Sequence, residues 1–303
     1  MNRNNVILLA ITLVLSACQS KKQQVKNADL SEVAHSYFGQ KPPGLIPEVF
    51  APGIVSVNGR NESGISFSPE LDELYFTVNK EDEELAIYFS RLNGNQWTAV
   101  KRANFTKGRK KEELYPFVSL NDSRIYFTAF DSIFSDEKIW YVNRLEDSWS
   151  DAVQLGSPLN DDQVFYINQA TNGDLFYTNI SKRKMFSAQN RNGKYPEVQE
   201  VEIDFGHHGF ISPSQDYLLV YAQNKENEDR KDFDIYVCFK ENDGTWTKPI
   251  RLGNEVNSSF NEGCPSITPD SKYLFFTRSE DENNVSNLYW VRTEIIEKLR
   301  PKR

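Results

Sequence analysis

One turn-and-strand pattern occurs five times in this chain, and that recurrence narrows the possible folds more than any other feature. The copies are Ser68–Thr77, Ser119–Thr128, Thr171–Thr178, Ser212–Tyr221 and Thr268–Thr277. Each opens with Ser, Thr, Pro, Asn, Asp or Gly, residues that close tight hairpins. Each then runs into an apolar, aromatic strand. Taking Thr77, Thr128, Thr178, Ala222 and Thr277 as equivalent gives spacings of 51, 50, 44 and 55 residues. A period near ~50 is the scale of a propeller blade or a repeat array. The flanking alternation of apolar and polar residues suits strands packed between neighbouring sheets.

Three further strand signals complete each unit. After each turn strand come Ile87–Phe89, Ile139–Val142, Met185–Phe186, Ile235–Val237 and Leu288–Val291. A third strand follows an aromatic residue at Trp97, Trp149, Tyr195 and Trp246. With the strand ahead of the turn, that makes four per repeat, the number in a propeller blade. The last repeat lacks its outer strand: beyond Trp290 the chain runs Glu294–Leu299, more helical in composition. Ile46–Phe50 supplies the missing pattern, because it matches Tyr195–Val198 and lies one period before Trp97. The expected fold is therefore all-β, a single propeller of five four-stranded blades with an N-terminal strand closing the last blade. Closure removes the open sheet edges of a linear array. A six-bladed ring with one degenerate blade is the alternative. No long stretch carries a 3.6-residue apolar period, so few helices are expected.

The stretches Ser68-Pro69 … Leu74-Tyr75-Phe76-Thr77 and Thr268-Pro269-Asp270-Ser271-Lys272-Tyr273-Leu274-Phe275-Phe276-Thr277 resemble the WD40-like (PD40-type) propeller repeats of TolB-like proteins. The resemblance covers roughly residues 45 to 292; repeats one, two and five match best, and repeat three lacks the proline. It implies a propeller of the kind carried by many bacterial lipoproteins and envelope proteins, with protein partners as in the TolB type. Propellers host binding proteins and enzymes alike, so the motif speaks for fold and not for function.

The first residues point to the cell envelope. Arg3, the apolar run Val6–Leu15 and small residues before Cys18 have the layout of a secretory signal. The run is shorter than the ~20 apolar residues that span a bilayer. Leu15-Ser16-Ala17-Cys18 resembles a bacterial lipobox, which implies cleavage after residue 17 and lipidation of Cys18. Acyl chains contribute ~0.8 kcal/mol per buried CH₂, so the expected mature chain is anchored to a membrane and does not span it. Residues 18–44 then read as lipidated cysteine and flexible tether, and 45–303 as propeller with a short tail. Gln19 after the cysteine agrees with outer-membrane sorting, and Lys21 and Lys22 favour the periplasmic face.

A formal charge of −8 disfavours nucleic acid as a partner, since phosphates require a basic face. The basic run Lys107–Lys111 is the contrary patch, and Glu112 and Glu113 follow it directly. Besides Cys18 the cysteines are Cys238 and Cys264, which fall in different repeats; a disulfide and two free, buried thiols are both open readings. A monomeric propeller is expected.

Propeller ligands usually meet the channel mouth, where the innermost strand of each blade begins. Counting back from the turns puts Glu62, Glu113, Gln163, Gly206 and Glu262 at one level. Three carboxylates and an amide there suit a divalent cation in the central channel, a basic peptide or sugar hydroxyls. The structural reading is that each glutamate accepts backbone N–H groups of the next blade and acts as a spacer. His207 and His208 stand in the fourth repeat, and adjacent residues of a strand cannot both face the channel. His35 is the only other histidine, so a metal site is short of ligands. Asn61, Tyr115 and Phe165 lie near the mouth, where they can stack on a ligand or pack in the core. No Gly-x-Ser-x-Gly elbow, Cys-x-x-Cys pair or phosphate loop occurs. The favoured function is a non-catalytic binding or scaffolding module for a protein or glycan partner. The alternative is a polysaccharide hydrolase or lyase using Glu62, Glu113 and Glu262, which needs carboxyl pairs at defined separations.

Overall fold

The computed structural model describes residues 37–227, 229–279 and 285–302. The signal, Cys18 and His35 lie outside them. The chain divides into two compact units between Pro42 and Pro43. Of the first, the described residues hold a turn in which Gln40 N donates to Tyr37 O at 2.9 Å. The second is a five-bladed propeller. Blade 1 holds β2 (Asn61–Phe67), β3 (Glu73–Asn79), β4 (Ala86–Asn93), β5 (Gln96–Trp97) and β6 (Lys101–Arg102). Blade 2 holds β7 (Glu112–Val118), β8 (Arg124–Phe130), β9 (Lys138–Asn143) and β10 (Val153–Gln154). Blade 3 holds β11 (Val164–Gln169), β12 (Leu175–Asn179), β13 (Lys184–Ala188) and β14 (Gln199–Glu200). Blade 4 holds β15 (Phe210–Ile211), β16 (Tyr217–Gln223), β17 (Phe233–Phe239) and β18 (Ile250–Arg251). Blade 5 holds β19 (Asn261–Ile267), β20 (Tyr273–Ser279) and β21 (Ser286–Arg292), and its outer strand is β1 (Glu48–Val49).

The turns explain why the sequence repeats. Ser68 Oγ accepts N–H groups of Asp72 and Glu73 at 3.1 and 2.9 Å, and Ser119 Oγ accepts those of Ser123 and Arg124 at the same distances. Ser212 and Thr268 do the same for Tyr217 and Tyr273. A left-handed residue completes each turn: Leu71, Asp122, Gly173, Gln215 or Ser271. Blade 3 has Ala170 in place of the hydroxyl and one residue fewer. Its turn is held by Gly173 and by Asp174 N donating to Asn172 Oδ1.

The second strand of each blade is sandwiched between neighbouring blades, so both its faces are buried. Six of the seven residues of β3 and of β8 are buried, which is why these strands read as near-continuous apolar runs. Side chains of Phe117, Leu175, Leu219, Phe276 and Tyr289 belong to one core that runs through blades 2 to 5.

Ring closure is by the N-terminal strand. Glu48 pairs with Trp290 and Val49 with Tyr289, antiparallel. Phe50 N then donates to Leu288 O at 2.8 Å. The Phe50 ring is fully buried among Phe67, Phe275 and Trp290, at centroid distances of 6.1, 5.0 and 5.3 Å. A short helix, α1 (Glu294–Glu297), follows β21 and buries Ile295 and Ile296. Among the described residues no helix is long and apolar enough to cross a membrane.

Candidate functional site

The inner strands begin at one end of the channel, which the connections between blades also line. Shortly after its start, each of β2, β7, β11 and β19 slips register, between Ser63 and Ser66, Leu114 and Phe117, Phe165 and Asn168, and Gly263 and Ser266. A bulge of this kind re-aims a side chain. One residue in each is left-handed: Gly64, Tyr115, Tyr166 and Cys264, with φ of 53°, 53°, 57° and 47°. For the last three that conformation costs on the order of 1–3 kcal/mol each, so the surroundings must hold it in place.

Those surroundings are the other members of the set. Tyr115 and Tyr166 meet edge to face at 5.0 Å. Tyr166 Oη donates to Pro265 O at 2.8 Å, from blade 3 to blade 5. Tyr115 from blade 2 hydrogen-bonds the Cys264 thiol. Glycine is required at position 64, since a Cβ there would lie 2.6 Å from Tyr115 Cδ1. Side chains of blades 2, 3 and 5 thus meet beside Gly64 of blade 1 and close the channel. Only about 10 Å³ of free space remains beneath them, between Ile65, Phe117, Tyr166 and Phe210, room for about one water.

Above this closure lies a floor of partly buried rings. Phe165 meets His208 at 4.2 Å and Tyr115 at 5.8 Å, while His208 meets Tyr221 at 4.8 Å and His207 at 4.6 Å. Burial lowers the pKa of both histidines, His208 the further, so both imidazoles are neutral at pH 7. His208 Nδ1 is buried without a hydrogen-bond partner among the described residues. The Cys264 thiol is pushed up to about 11 by burial and is a poor nucleophile there. Cys264 and Cys238 are both free. Exposed apolar side chains stand on loops at the same end: Ile54 and Phe260 between blades, Ile133 and Phe134 between β8 and β9.

The three glutamates are elsewhere. All are buried, and each turns toward the loop that leads into its own blade. Glu113 accepts the N–H groups of Phe105 and Thr106 at 3.0 and 2.6 Å. Glu262 accepts Ser258 N–H at 3.0 Å, together with Ser258 Oγ and Arg278 Nε. Glu62 accepts Val57 N–H at 3.2 Å and Arg60 Nε, and its Oε2 has no hydrogen-bond partner. Burial raises Glu62 to about 7 against the pull of Arg60, and raises Glu262 in the same direction. Among the described residues no three His, Cys, Asp or Glu side chains come together to hold a metal ion.

Register corrects one member of the expected level. Val164, opposite Asn179, matches Glu62 opposite Val78, Glu113 opposite Ala129 and Glu262 opposite Arg278. Gln163 precedes that level by one, because the turn of blade 3 is one residue shorter, and its amide lies beside Ser181. Gly206 does occupy the level, with φ of 96° and Val220 Cγ2 2.7 Å from where a Cβ would stand. Asn61 is a stitch between blades, its Oδ1 accepting Ser286 N–H at 2.7 Å. Asn261 does the same for Phe233, and Glu112 for Leu85. In the basic run, Lys107 pairs with Asp151, Lys110 pairs with Asp131 and Asp136, and Arg109 lies over Trp140.

Sequence reasoning missed Tyr166, Tyr221 and Cys264 as members of this mouth. The signal for the first and last was their place two residues past the glutamate level, where blade 1 carries Gly64.

Neither a protein-family model nor a curated protein matches this chain. Solved structures do. The GH43 endo-arabinanase from Bacillus licheniformis aligns over 78% of this chain and 94% of its own, at 12% identity and a TM-score of 0.50. TolB from Acinetobacter baumannii aligns over 76% of this chain and 56% of its own, at 13% identity and a TM-score of 0.47. An oligogalacturonate lyase in complex with manganese aligns over 75% and 63%, at 16% identity and a TM-score of 0.44. Likeness at these identities shows fold alone. The chain is a five-bladed β-propeller with distant structural similarity to TolB, GH43 and lyase propellers.

Proposed function

We propose that this propeller is a non-catalytic binding or scaffolding module, anchored in the bacterial envelope through lipid on Cys18, that recognises a protein or glycan partner at its channel mouth. One observation carries the reading. The mouth is floored by partly buried rings of Tyr115, Phe165, His208 and Tyr221, while the repeat's carboxylates are buried in loop clamps. Aromatic faces without free acids suit adhesion to an apolar side chain or a sugar face, not proton transfer. Ile54, Phe134 and Phe260 extend the contact surface around the same end. The outer membrane, with the domain on its periplasmic side, is the proposed location, and the propeller acts as a monomer.

The alternative, a polysaccharide hydrolase or lyase, has one observation in its favour: Glu62 held near pH 7 with an unpaired oxygen. Crosslinking in intact envelopes separates the two. A photoreactive residue at position 165 should capture one defined partner, and Phe134→Asp should abolish capture without unfolding the chain. Turnover of an envelope polysaccharide that stops with Glu62→Gln would favour the enzyme instead.

A further inference from the structure

The opposite end of the propeller, where the hairpin turns lie, carries a groove between blades 2 and 3. Its volume is about 320 Å³, within the range of small-molecule sites. Six residues define its chemistry: Asn121, Arg124, Tyr126, Asn172, Asn190 and Tyr195. Arg124 is its only charged side chain, and no Asp or Glu lines it.

The repeat supplies the comparison that makes this cation informative. Ser68, Ser119, Ala170, Ser212 and Thr268 each donate their N–H to the carbonyl of an equivalent residue: Glu73, Arg124, Asp174, Tyr217 and Tyr273. In blade 1 that residue is an acid whose charge is satisfied twice, by Arg91 and by Arg144 reaching across from blade 2, both at 2.7 Å. Tyr75 Oη donates to the same carboxylate at 2.6 Å. Blade 2 repeats the device with the sign reversed. Tyr126 stands where Tyr75 does and faces Arg124, but among the described residues no carboxylate lies within 4.0 Å of that guanidinium.

The cation is nevertheless fixed in place. Its guanidinium lies 4.4 Å from the Tyr141 ring centre, and Tyr126 links it to Tyr195, whose hydroxyl donates to Gly173 O at 3.0 Å. The amide groups around it add donors. Asn121 Oδ1 and Asn190 Oδ1 are occupied by Ser123 and Gly193, leaving their NH₂ groups for the groove. The nearby carboxylate of Asp174 is already held by Asn172 Nδ2, Gln215 Nε2 and Asn190 N–H. A second hollow continues past Thr171 and Asn172, lined by Asp216, Lys240 and Glu241, and there Asp216 is paired with Arg300 at 2.7 Å.

We infer that this groove binds a sugar acid, its carboxylate on Arg124 and its hydroxyls on the surrounding amides and tyrosine hydroxyls. A donor-rich pocket with one fixed, unpaired guanidinium calls for an anion that accepts in a plane, which a carboxylate does. The amides that line it, beside the ring faces of Tyr126 and Tyr195, suit a hydroxylated ring, which offers both hydroxyls and an apolar C–H face. The carboxylate belongs at the Arg124 end, since that guanidinium is the one charged group lining the groove.

The test is an NMR titration of the full chain, purified in detergent, with D-glucuronate, D-glucose and acetyl-diglycine as probes. Glucuronate should bind at least tenfold more tightly than glucose. Arg124→Gln should remove that preference and leave glucose binding and the melting temperature nearly unchanged. Asn190→Ala, which keeps the cation, should weaken glucuronate severalfold. Equal binding of glucuronate and glucose, or an unchanged preference in Arg124→Gln, would overturn the assignment. So would acetyl-diglycine binding as tightly as glucuronate, because the site would then read peptide carboxylates. The inference rests on the binding-module reading but concerns the other end of the ring. Glucuronate binding that survives while Phe134→Asp leaves partner capture intact would sink the mouth proposal alone.

Discussion

The hydroxyl of Tyr166 donates to the carbonyl of Pro265 at 2.8 Å, joining blade 3 to blade 5 across the centre of the ring. Non-adjacent blades are thereby coupled directly, where most propeller contacts run only from one blade to the next. Tyr166→Phe keeps the ring and leaves that carbonyl without its donor. A loss of about 1–3 kcal/mol is expected, read as a lower urea midpoint at unchanged slope. Unchanged stability would mean that the crossing contributes nothing.

Glu62 should give the fold a measurable pH dependence. Its folded pKa of about 7 lies above the ordinary 4.5, so the fold favours the protonated acid. That contribution is complete below pH 4.5 and is lost as pH rises through about 7, a difference of roughly 3 kcal/mol. His207 and His208 are depressed and act the other way, losing stability as pH falls below 6.5. The difference between wild type and Glu62→Gln isolates the acid. Thermal melts from pH 4.5 to 8 should show the variant gaining on wild type as pH rises. Parallel curves would count against the account.

Glu113 tests whether the repeated acid holds a loop. In Glu113→Ala the N–H groups of Phe105 and Thr106 both lose their acceptor, at a cost of about 2–4 kcal/mol for two buried donors. Glu113→Gln retains one carbonyl oxygen and should recover part of that loss. Hydrogen exchange at Thr106 should accelerate in the alanine variant and be intermediate in the glutamine variant. A variant with alanine at 62, 113 and 262 should lose stability before it loses any partner.

Phe50→Ala tests closure. The ring is fully buried among Phe67, Phe275 and Trp290, so truncation should cost about 3–5 kcal/mol. Exchange protection should fall first in β21 and β1, while blades 2 and 3 keep theirs. Uniform loss in all five blades would show that the seam is no weaker than the rest.

How much of this was legible beforehand depends on what each residue pattern encodes. The turns were, because Ser68, Ser119, Ser212 and Thr268 perform one hydrogen-bonding task in one conformation and so leave one signature. The closing strand was, because Val49 and Phe50 repeat the outer-strand pattern. Gln163 was misplaced by one since blade 3 turns with a glycine instead of a serine, and counting residues cannot see a shorter turn. For Glu62, Glu113 and Glu262 the backbone N–H partners were legible. Their blade was not, since strand periodicity gives a side and not a partner: the donors lie in the loop entering each glutamate's own blade and not in the next blade. Nor was the plugged channel: Tyr115, Tyr166 and Cys264 take a left-handed backbone that Gly64 alone advertises.

Because β1 pairs with β21, the earliest of the described strands to leave the ribosome is the last to find its partner. Until blade 5 has been synthesised, Asn61 and Phe67 of blade 1 lack their partners Ser286 and Phe275. The nascent chain is an open arc with a bare flank at each end, competent to join another arc as readily as itself. Completion of the circle is thus an event in time as well as a contact in space, and crowded synthesis is where this architecture is most exposed to exchange between copies.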